Sequence, residues 1–188
     1  MQMRLSLNID DDNKIGDTMK KIGLFWGSST SNTEEAAKFM KEYLENEEHK
    51  VDFHDISEVD VEEILKYDNI IIGCPTWHIG ELQEDWDAVF LKYEKLDFSG
   101  KTAAFFGCGD QVGYPDNFLD AIGLLGKPFM ENGGKLIGKC ARGDYEFSDS
   151  VALDGDMLLG LGLDYDNDED ECEGQMIMWL EDILEEFA

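Results

Sequence analysis

Short apolar runs alternate along the chain with longer stretches whose apolar residues recur at helical spacing. The runs at 70–72 and 103–106 lack polar alternation, as strands buried on both faces do. Ala36, Met40 and Leu44 instead recur at the spacing of one helix face. The predicted strands are 21–26, 50–54, 69–74, 102–107 and 135–138, and the predicted helices are 33–46, 59–66, 82–92, 117–131 and 172–187. This alternation predicts the α/β class, a parallel sheet with helices on both faces.

The segment 139–165 interrupts this alternation. It contains glycines, polar residues and a second apolar run at 157–163. A loop of this length is unusual inside a compact domain unless it has a function, so we predict an insertion into the fifth strand. The length of 188 residues fits one domain, which we expect to span 19–188. Residues 1–18 are acidic and lack the apolar core of a secretion signal, and we expect them to form a disordered extension.

The chain is strongly acidic, because 43 Asp and Glu against 15 Lys and Arg give a formal net charge of −28. A field of this sign repels nucleic acid and anionic membranes and attracts basic proteins. Solubility or adaptation to salt is the alternative explanation. The four cysteines are scattered without a C-x-x-C pair, which argues against a zinc site or a disulfide framework. Reduced thiols indicate the cytoplasm, and no apolar run approaches the length of a membrane span.

The loop Gly27-Ser28-Ser29-Thr30-Ser31-Asn32-Thr33 separates the first predicted strand from the first predicted helix. Its hydroxyls, its backbone N–H groups and the positive end of the helix can all donate hydrogen bonds to a phosphate. The loop lacks the Gly-Lys-Ser/Thr of a Walker motif, which weakens an ATPase or GTPase interpretation. The alternative is a cluster that only caps the helix, since serine and threonine are common there.

Two further loops follow the third and fourth predicted strands, at 73–80 and 107–117. Ligands of doubly wound sheets bind beyond the carboxyl ends of the strands, so these loops should converge with the first. Each carries an aromatic residue, Trp77 or Tyr114, which is either a packed anchor or a stacking platform. Together the three loops predict a slot for a flat ring with a phosphate tail. Acidic residues flank this slot and would lower the reduction potential of the ring, namely Glu81, Glu84, Asp85, Asp87, Asp110 and Asp116.

Three long motifs then resemble the flavodoxin family, specifically its long-chain group, over nearly the whole length from Met19. Lys-Lys-Ile-Gly-Leu-Phe precedes the hydroxyl-rich loop, Ile-Ile-Gly-Cys-Pro-Thr-Trp-x-Ile-Gly-Glu-Leu-Gln-x-Asp-Trp occupies 71–86, and Gly-x-Gly-Asp-Gln-x-Gly-Tyr-x-Asp-Asn-Phe occupies 107–118. Segments 143–150 and 161–167 resemble the start of the long-chain insertion and the stretch that follows it. The resemblance implies a flavodoxin-like three-layer sandwich, with a five-stranded parallel sheet of order 2-1-3-4-5. It also implies non-covalent FMN and one-electron transfer at low potential.

The resemblance also implies which residues hold the cofactor. The phosphate would lie on residues 28–33, with Trp77 and Tyr114 on the two faces of the isoalloxazine ring. Backbone groups at 76–80 and 108–110 would meet the polar edge of the ring. The implied set is Ser28, Ser29, Thr30, Ser31, Asn32, Thr33, Pro75, Thr76, Trp77, His78, Ile79, Gly80, Cys108, Gly109, Asp110, Tyr114, Asn117 and Asp166. The implied partners are basic redox proteins, such as a ferredoxin/flavodoxin-NADP reductase or other oxidoreductases, that dock on a monomeric carrier.

Two positions depart from the family pattern. Ser31 stands where the family commonly has glycine, and a residue with a Cβ tolerates a positive φ poorly, so the loop geometry is expected to differ. The peptide that rotates on cofactor reduction in the family corresponds here to His78–Ile79. Because Ile79 is β-branched, we expect this rotation to be hindered.

Two other function classes share this type of fold. An FMN-dependent NAD(P)H:quinone reductase is the main alternative, although a Trp and a Tyr on both ring faces would block hydride transfer. A phospho-accepting receiver would need an Asp where the chain has Cys74. The sequence shows no nucleophile–base pair and no evident partners for His49, His54 and His78. We therefore expect an electron carrier rather than an enzyme.

Overall fold

The computed structural model describes residues 19–188, and the expected extension at 1–18 lies outside the described residues. The strands are β1 Lys21–Trp26, β2 Lys50–Asp55, β3 Asn69–Gly73, β4 Thr76–Trp77, β5 Glu81–Leu82, β6 Thr102–Cys108, β7 Lys135–Ile137, β8 Cys140–Ala141, β9 Leu153–Asp154, β10 Met157–Leu158 and β11 Leu161–Leu163. The α-helices are α1 Asn32–Asn46, α2 Glu84–Tyr93, α3 Asp120–Glu131 and α4 Glu169–Glu186. The main sheet is parallel and runs β2-β1-β3-β6, with β7 and β11 both paired to β6. The predicted strand order is confirmed.

The fifth strand of the sheet is built in two pieces. β7 pairs with Thr102–Ala104 at one end of β6, and β11 pairs with Phe106–Cys108 at the other. The chain between them forms a small antiparallel sheet of order β8-β10-β9. The predicted insertion into the fifth strand is therefore confirmed, but its predicted end at 165 is wrong. Residues 161–163 belong to the main sheet, because the apolar run at 157–163 contains a turn and then a buried strand.

Four predicted helices differ from the observed ones. The helix predicted from 82 begins at Glu84, because Leu82 belongs to β5 and the Gln83 side chain caps the helix. The segment predicted as a helix at 59–66 is a single 3₁₀ helix, Val61–Lys66, whose first turn is capped by the Asp60 carboxylate. The helix predicted from 117 begins at Asp120, because Leu119 has a left-handed φ of 62° that no continuous helix accommodates. The last helix begins at Glu169, three residues before its predicted start. These starts matter because Asn117 and Phe118 consequently lie in a loop.

The sheet separates two apolar layers. On one face, alternate residues of β1 such as Ile22, Leu24 and Trp26 pack with α1 and α4. On the other face, Phe25 packs in a cluster that includes the fully buried Trp86 and Tyr93 of α2 and residues of α3. Both faces of the central strands are thus covered, which explains their unbroken apolar runs. None of the helices within residues 19–188 is long and apolar enough to cross a membrane.

Candidate functional site

A cleft lies where the three loops predicted from sequence converge, at the carboxyl ends of β1, β3, β6 and β11. Its volume is about 290 Å³, close to the lower end of the range for ligand-binding cavities. The cavity is lined by Thr30, Asn32, Thr33, Pro75, Thr76, Trp77, His78, Cys108, Gly109, Asp110, Tyr114, Asn117, Phe118, Leu163, Tyr165 and Asp166. Most of the residues implied by the resemblance therefore share one concave site.

The hydroxyl-rich loop forms one end of the cavity and leads into α1. Ser31 is the N-cap residue of α1, yet its side chain accepts no hydrogen bond from the amides of the first turn. An N-cap serine that only stabilised its helix would accept such a bond. The first-turn amides of a helix lack intrahelical acceptors and carry the positive end of the helix dipole. The loop therefore matches an anion site better than it matches a simple cap.

Ser31 itself has φ 73° and ψ −20°, the left-handed conformation. This conformation costs an L-residue other than glycine about 1–2 kcal/mol. The backbone of Ser31 thus has the positive φ that suits glycine, and the serine is strained in it.

The hydroxyls of this loop do not all point into the cavity. The buried Thr33 hydroxyl donates to the Cys108 Sγ, 3.5 Å away, and so joins the loop to the end of β6. The Ser29 hydroxyl accepts a hydrogen bond from Gln83 Nε2 over 3.3 Å and lines a neighbouring cavity instead. Ser28 and Ser31 are not among the lining residues. Side-chain donors at this end of the cavity thus come chiefly from Thr30 and Asn32.

Aromatic rings form the other walls. Trp77 lies in the β4–β5 hairpin, and Tyr114 lies on the loop that follows β6 with 55% of its surface exposed. The Trp77 Nε1 is buried without a hydrogen-bond partner, and the His78 ring lies 6.0 Å from the Trp77 ring between centroids. His78 also lines the cavity, with a left-handed φ of 47°. Ile79 is 78% exposed and, like Gly80, does not line it.

The Asp110 carboxylate shapes the loop that carries Tyr114. It accepts hydrogen bonds from the backbone N–H groups of Gly113 and Val112, at 2.6 and 3.0 Å. It also accepts one from Asn167 Nδ2. These bonds, the Gly113 amide foremost, lower the pKa of Asp110. The side chain of Asp110 is therefore engaged in holding the loop of Tyr114, a residue that lines the cavity.

Several residues of the site were missed from the sequence. Phe118, Leu163 and Tyr165 line the cavity, the last two because β11 ends there. The buried carboxylate of Asp164 accepts hydrogen bonds from the Gln111 N–H and from Asn167, and so joins two loops of the site. The sequence did contain a signal for these residues, because segment 161–167 directly follows the insertion. A fifth strand that resumes there ends at the same edge of the sheet as β1, β3 and β6, which is the edge where the cavity lies.

The reactive groups near the cavity are unsuited to nucleophilic catalysis. Burial raises the pKa of the Cys108 thiol to about 12, which keeps it protonated. His54 and His49 do have partners, contrary to the sequence-based expectation. The His54 Nε2 is hydrogen-bonded to the Tyr67 hydroxyl over 2.8 Å, and the His49 Nδ1 accepts from the Lys20 N–H over 3.2 Å. Cys108 lines the cavity and His54 does not. Within the described part of the chain, no group of three or more His, Cys, Asp or Glu residues could hold a metal ion.

Known proteins resemble this chain in both sequence and structure. The family model for flavodoxin matches residues 24–179. A flavodoxin of a Nostoc strain is 43% identical over 90% of this chain and 98% of its own length, and flavodoxin 2 of Escherichia coli is 39% identical over 89% of this chain and 96% of its own. The crystal structure of Fusobacterium nucleatum flavodoxin bound to flavin mononucleotide covers 90% of this chain and all of its own, with a TM-score of 0.85 and 26% identity.

These matches decide between the classes that the sequence left open. They extend over both loops that carry the aromatic residues and over the hydroxyl-rich loop. Flavodoxins are electron-transfer proteins and not enzymes, so the expectation of a carrier is confirmed over the quinone reductase. The chain belongs to the flavodoxin family.

Proposed function

We propose that this protein binds FMN non-covalently in the cleft and carries single electrons at low potential. One observation carries the proposal: the same cavity holds the uncapped N-terminus of α1 at one end and the rings of Trp77 and Tyr114 at the other. The donors suit a phosphate and the rings suit a flat heteroaromatic system. The residues present therefore fit FMN, which supplies reversible one-electron chemistry when bound.

The residue roles follow from this fit. Thr30, Asn32 and the first amides of α1 hold the phosphate, and Trp77 and Tyr114 cover the ring. Backbone groups of 76–78 and 108–110, which line the cavity, meet the polar edge of the ring. Ile79 and Gly80 continue the hairpin outside the cavity, and Asn117 and Asp166 lie toward the ring edge or the ribityl chain. Ser29 and Thr33 are bonded to Gln83 and Cys108, so their side chains support the loop.

Acidic surroundings support a low potential. Glu81, Glu84, Asp87 and Asp116 are exposed around the hairpin and the Tyr114 loop, and Asp110 is half-buried beside the cavity. Negative charge near a site disfavours adding further negative charge to it. The described loop at 27–33 contributes no cation to offset this field.

Basic redox proteins are the partners that fit this surface. A second cavity beside the hairpin is lined by the apolar side chains of Leu82 and Phe90. The exposed acidic residues Glu81, Glu84 and Asp87 also line it. Such a cavity suits a lysine or arginine side chain, which has an apolar stem and a cationic end. The proposal extends to a ferredoxin/flavodoxin-NADP reductase as one partner, a monomeric carrier of the long-chain group, and a cytoplasmic location.

A visible spectrum of the purified protein tests the proposal directly. We expect flavin absorption bands, or their appearance when FMN is added to the apoprotein, together with quenching of FMN fluorescence as the ring is covered. A protein that shows neither effect does not bind FMN. Adding NADH or NADPH alone should leave the oxidised spectrum unchanged, and rapid bleaching would indicate an enzyme instead of a carrier.

A further inference from the structure

Asp120, the first residue of α3, is a buried acidic residue that the electron-carrier role leaves unexplained. Only 3% of its surface is exposed. Both of its carboxylate oxygens accept hydrogen bonds from uncharged donors. Oδ1 accepts from the Val151 backbone N–H over 2.6 Å, and Oδ2 accepts from the Asn117 Nδ2 over 2.9 Å. Burying a carboxylate costs free energy unless hydrogen bonds compensate it, as these two do here.

These bonds join segments that are distant in sequence. Val151 lies in the insertion, whereas Asn117 lies on the loop after β6 and lines the flavin cavity. The next residue of α3 extends the connection, because the Ala121 N–H donates to the Thr76 Oγ1 over 3.2 Å. Thr76 also lines the cavity and begins the Trp77 hairpin. The start of α3 is therefore bonded to the insertion and to both ring-side loops.

The hairpin also rests directly on the Asp120 carboxylate. Gly80 has a φ of +86°, and a Cβ at this position would lie 2.3 Å from the Asp120 Oδ2 and 3.0 Å from the Asn117 Nδ2. The absence of a side chain lets the hairpin backbone approach the pair formed by Asp120 and Asn117. The Asp120 carboxylate thus lies between the hairpin and the Asn117 loop and determines how closely they approach each other.

We propose that Asp120 is a positioning residue for the ring-side half of the FMN site, and that through it the insertion influences how tightly the ring is held. The inference rests on the proposed FMN binding. Asp120 does not line the cavity; it acts through Asn117 and through the hairpin that carries Trp77. Its effect should therefore fall on the ring and not on the phosphate.

The substitution Asp120→Asn tests this with little change in volume. An asparagine offers one oxygen and one NH₂ group, so it cannot accept from both Val151 and Asn117. Either two NH₂ groups face each other or the Asn117 amide turns over, and each outcome changes what Asn117 presents to the cavity. We expect the dissociation constants of FMN and of riboflavin to rise by the same factor, about tenfold, as for the loss of a hydrogen bond to a charged group. Riboflavin lacks the phosphate, so an equal loss locates the effect at the ring.

Three comparisons control this measurement, which uses quenching of flavin fluorescence by the apoprotein. Asp97→Asn removes an exposed carboxylate that is bonded to the Ser99 N–H, and it should leave both constants unchanged. Thr30→Ala should weaken FMN binding more than riboflavin binding, because Thr30 belongs to the phosphate end. The double variant Asp120→Asn/Asn117→Ala should lose less affinity than the sum of the two single losses, because part of the effect of Asp120 passes through Asn117.

A second pair of variants tests the link to the insertion and replaces Asp120→Asn if that protein does not fold. Val151→Pro removes the N–H that Asp120 accepts from, whereas Val151→Ala keeps it. We expect Val151→Pro to weaken both flavins equally and Val151→Ala to match the wild type. Unchanged constants in the folded Asp120→Asn or Val151→Pro variants, even with a lower Tm, would overturn the inference, as would a loss confined to FMN. A wild-type protein that binds neither flavin would instead refute the proposed function.

Discussion

Ser31 shows how a single residue can keep a backbone conformation that its side chain opposes. The φ of 73° is the one that glycine adopts without cost, and the serine holds it because the loop is fixed at both ends. The Gly27 N–H donates to the Gly73 carbonyl at one end, and the Glu35 N–H donates to the Ser31 carbonyl at the other. The strain is stored in the loop that we assign to the phosphate.

Replacing this serine with glycine should stabilise the apoprotein. Ser31→Gly relieves about 1–2 kcal/mol of strain and adds entropy to the unfolded chain, so a net gain of about 0.5–1 kcal/mol is expected. Urea unfolding of the apoprotein measures it. Ser28, which does not have a positive φ, provides the control, and Ser28→Gly should give no gain. Equal effects of the two substitutions would mean that Ser31 carries no strain.

His54 should make stability depend on pH. Burial lowers its pKa below the ordinary value of 6.5, so between these two values the unfolded chain binds more protons than the folded one. Stability contributed by the neutral imidazole is complete above 6.5 and is lost as the pH falls through the lowered pKa of His54.

Unfolding free energies measured between about pH 7 and pH 5 test this. His54→Phe keeps a ring where His54 stacks on Phe25, at 4.6 Å between centroids, but has nothing to titrate. We expect the variant to lose less stability than the wild type on acidification. Parallel pH profiles for the two proteins would exclude His54 as the cause.

At the scale of elements, β11 depends on the insertion for its outer edge. The Gly162 N–H donates to the Tyr145 hydroxyl over 3.0 Å, and the same hydroxyl donates to the Gly162 carbonyl over 3.3 Å. One side chain thus occupies the backbone groups of an edge strand that would otherwise be open to another chain. Since β11 leads to Tyr165 and Asp166, its order matters to the cavity.

Tyr145→Phe removes both hydrogen bonds while keeping the ring. It should destabilise the protein by about 1–3 kcal/mol, because the Gly162 N–H loses its acceptor in a partly buried place. Hydrogen exchange at the amides of β11 should accelerate along with the loss of stability. Tyr43→Phe, which removes an exposed bond to Glu181, should change stability by less than about 0.5 kcal/mol. A Tyr145→Phe protein as stable as that control would contradict the assignment.

The elements differ in how far the sequence could predict them. β1 and α1 have unbroken apolar patterns and were placed to within a residue. The start of α3 was misplaced because Phe118 continues the helical apolar spacing, while the left-handed Leu119 that ends the loop has no local signature. Trp77 and Tyr114 could be found because each follows a strand. Asp120 and Asp164 could not, because their partners are brought together only by the folded chain.

At the scale of the whole molecule, the net charge of −28 should affect the association of FMN and of a basic partner in opposite ways. FMN is an anion that approaches an anionic protein, so salt should screen the repulsion and speed its association. A basic reductase is attracted, so salt should slow its association.

Stopped-flow rates measured from about 10 mM to about 0.5 M NaCl separate these effects, because the Debye length falls from about 30 Å to less than 8 Å over that range. Riboflavin, which carries no phosphate, is the matched ligand control and should show little salt dependence. An FMN association rate that falls with salt would indicate that a cationic site attracts FMN. It would contradict the assignment of the phosphate to a loop without charged side chains.

The hairpin tip of the insertion offers a place where the molecule could be extended. Gly155, between β9 and β10, has open space around it, and Asp154, Asp156 and Met157 beside it are exposed. The insertion contacts the elements around the cofactor site through other residues, Tyr145 and Val151, which lie on either side of this tip. A reporter domain or an affinity tag grafted at 155–156 would therefore project from the carrier without disturbing its redox centre.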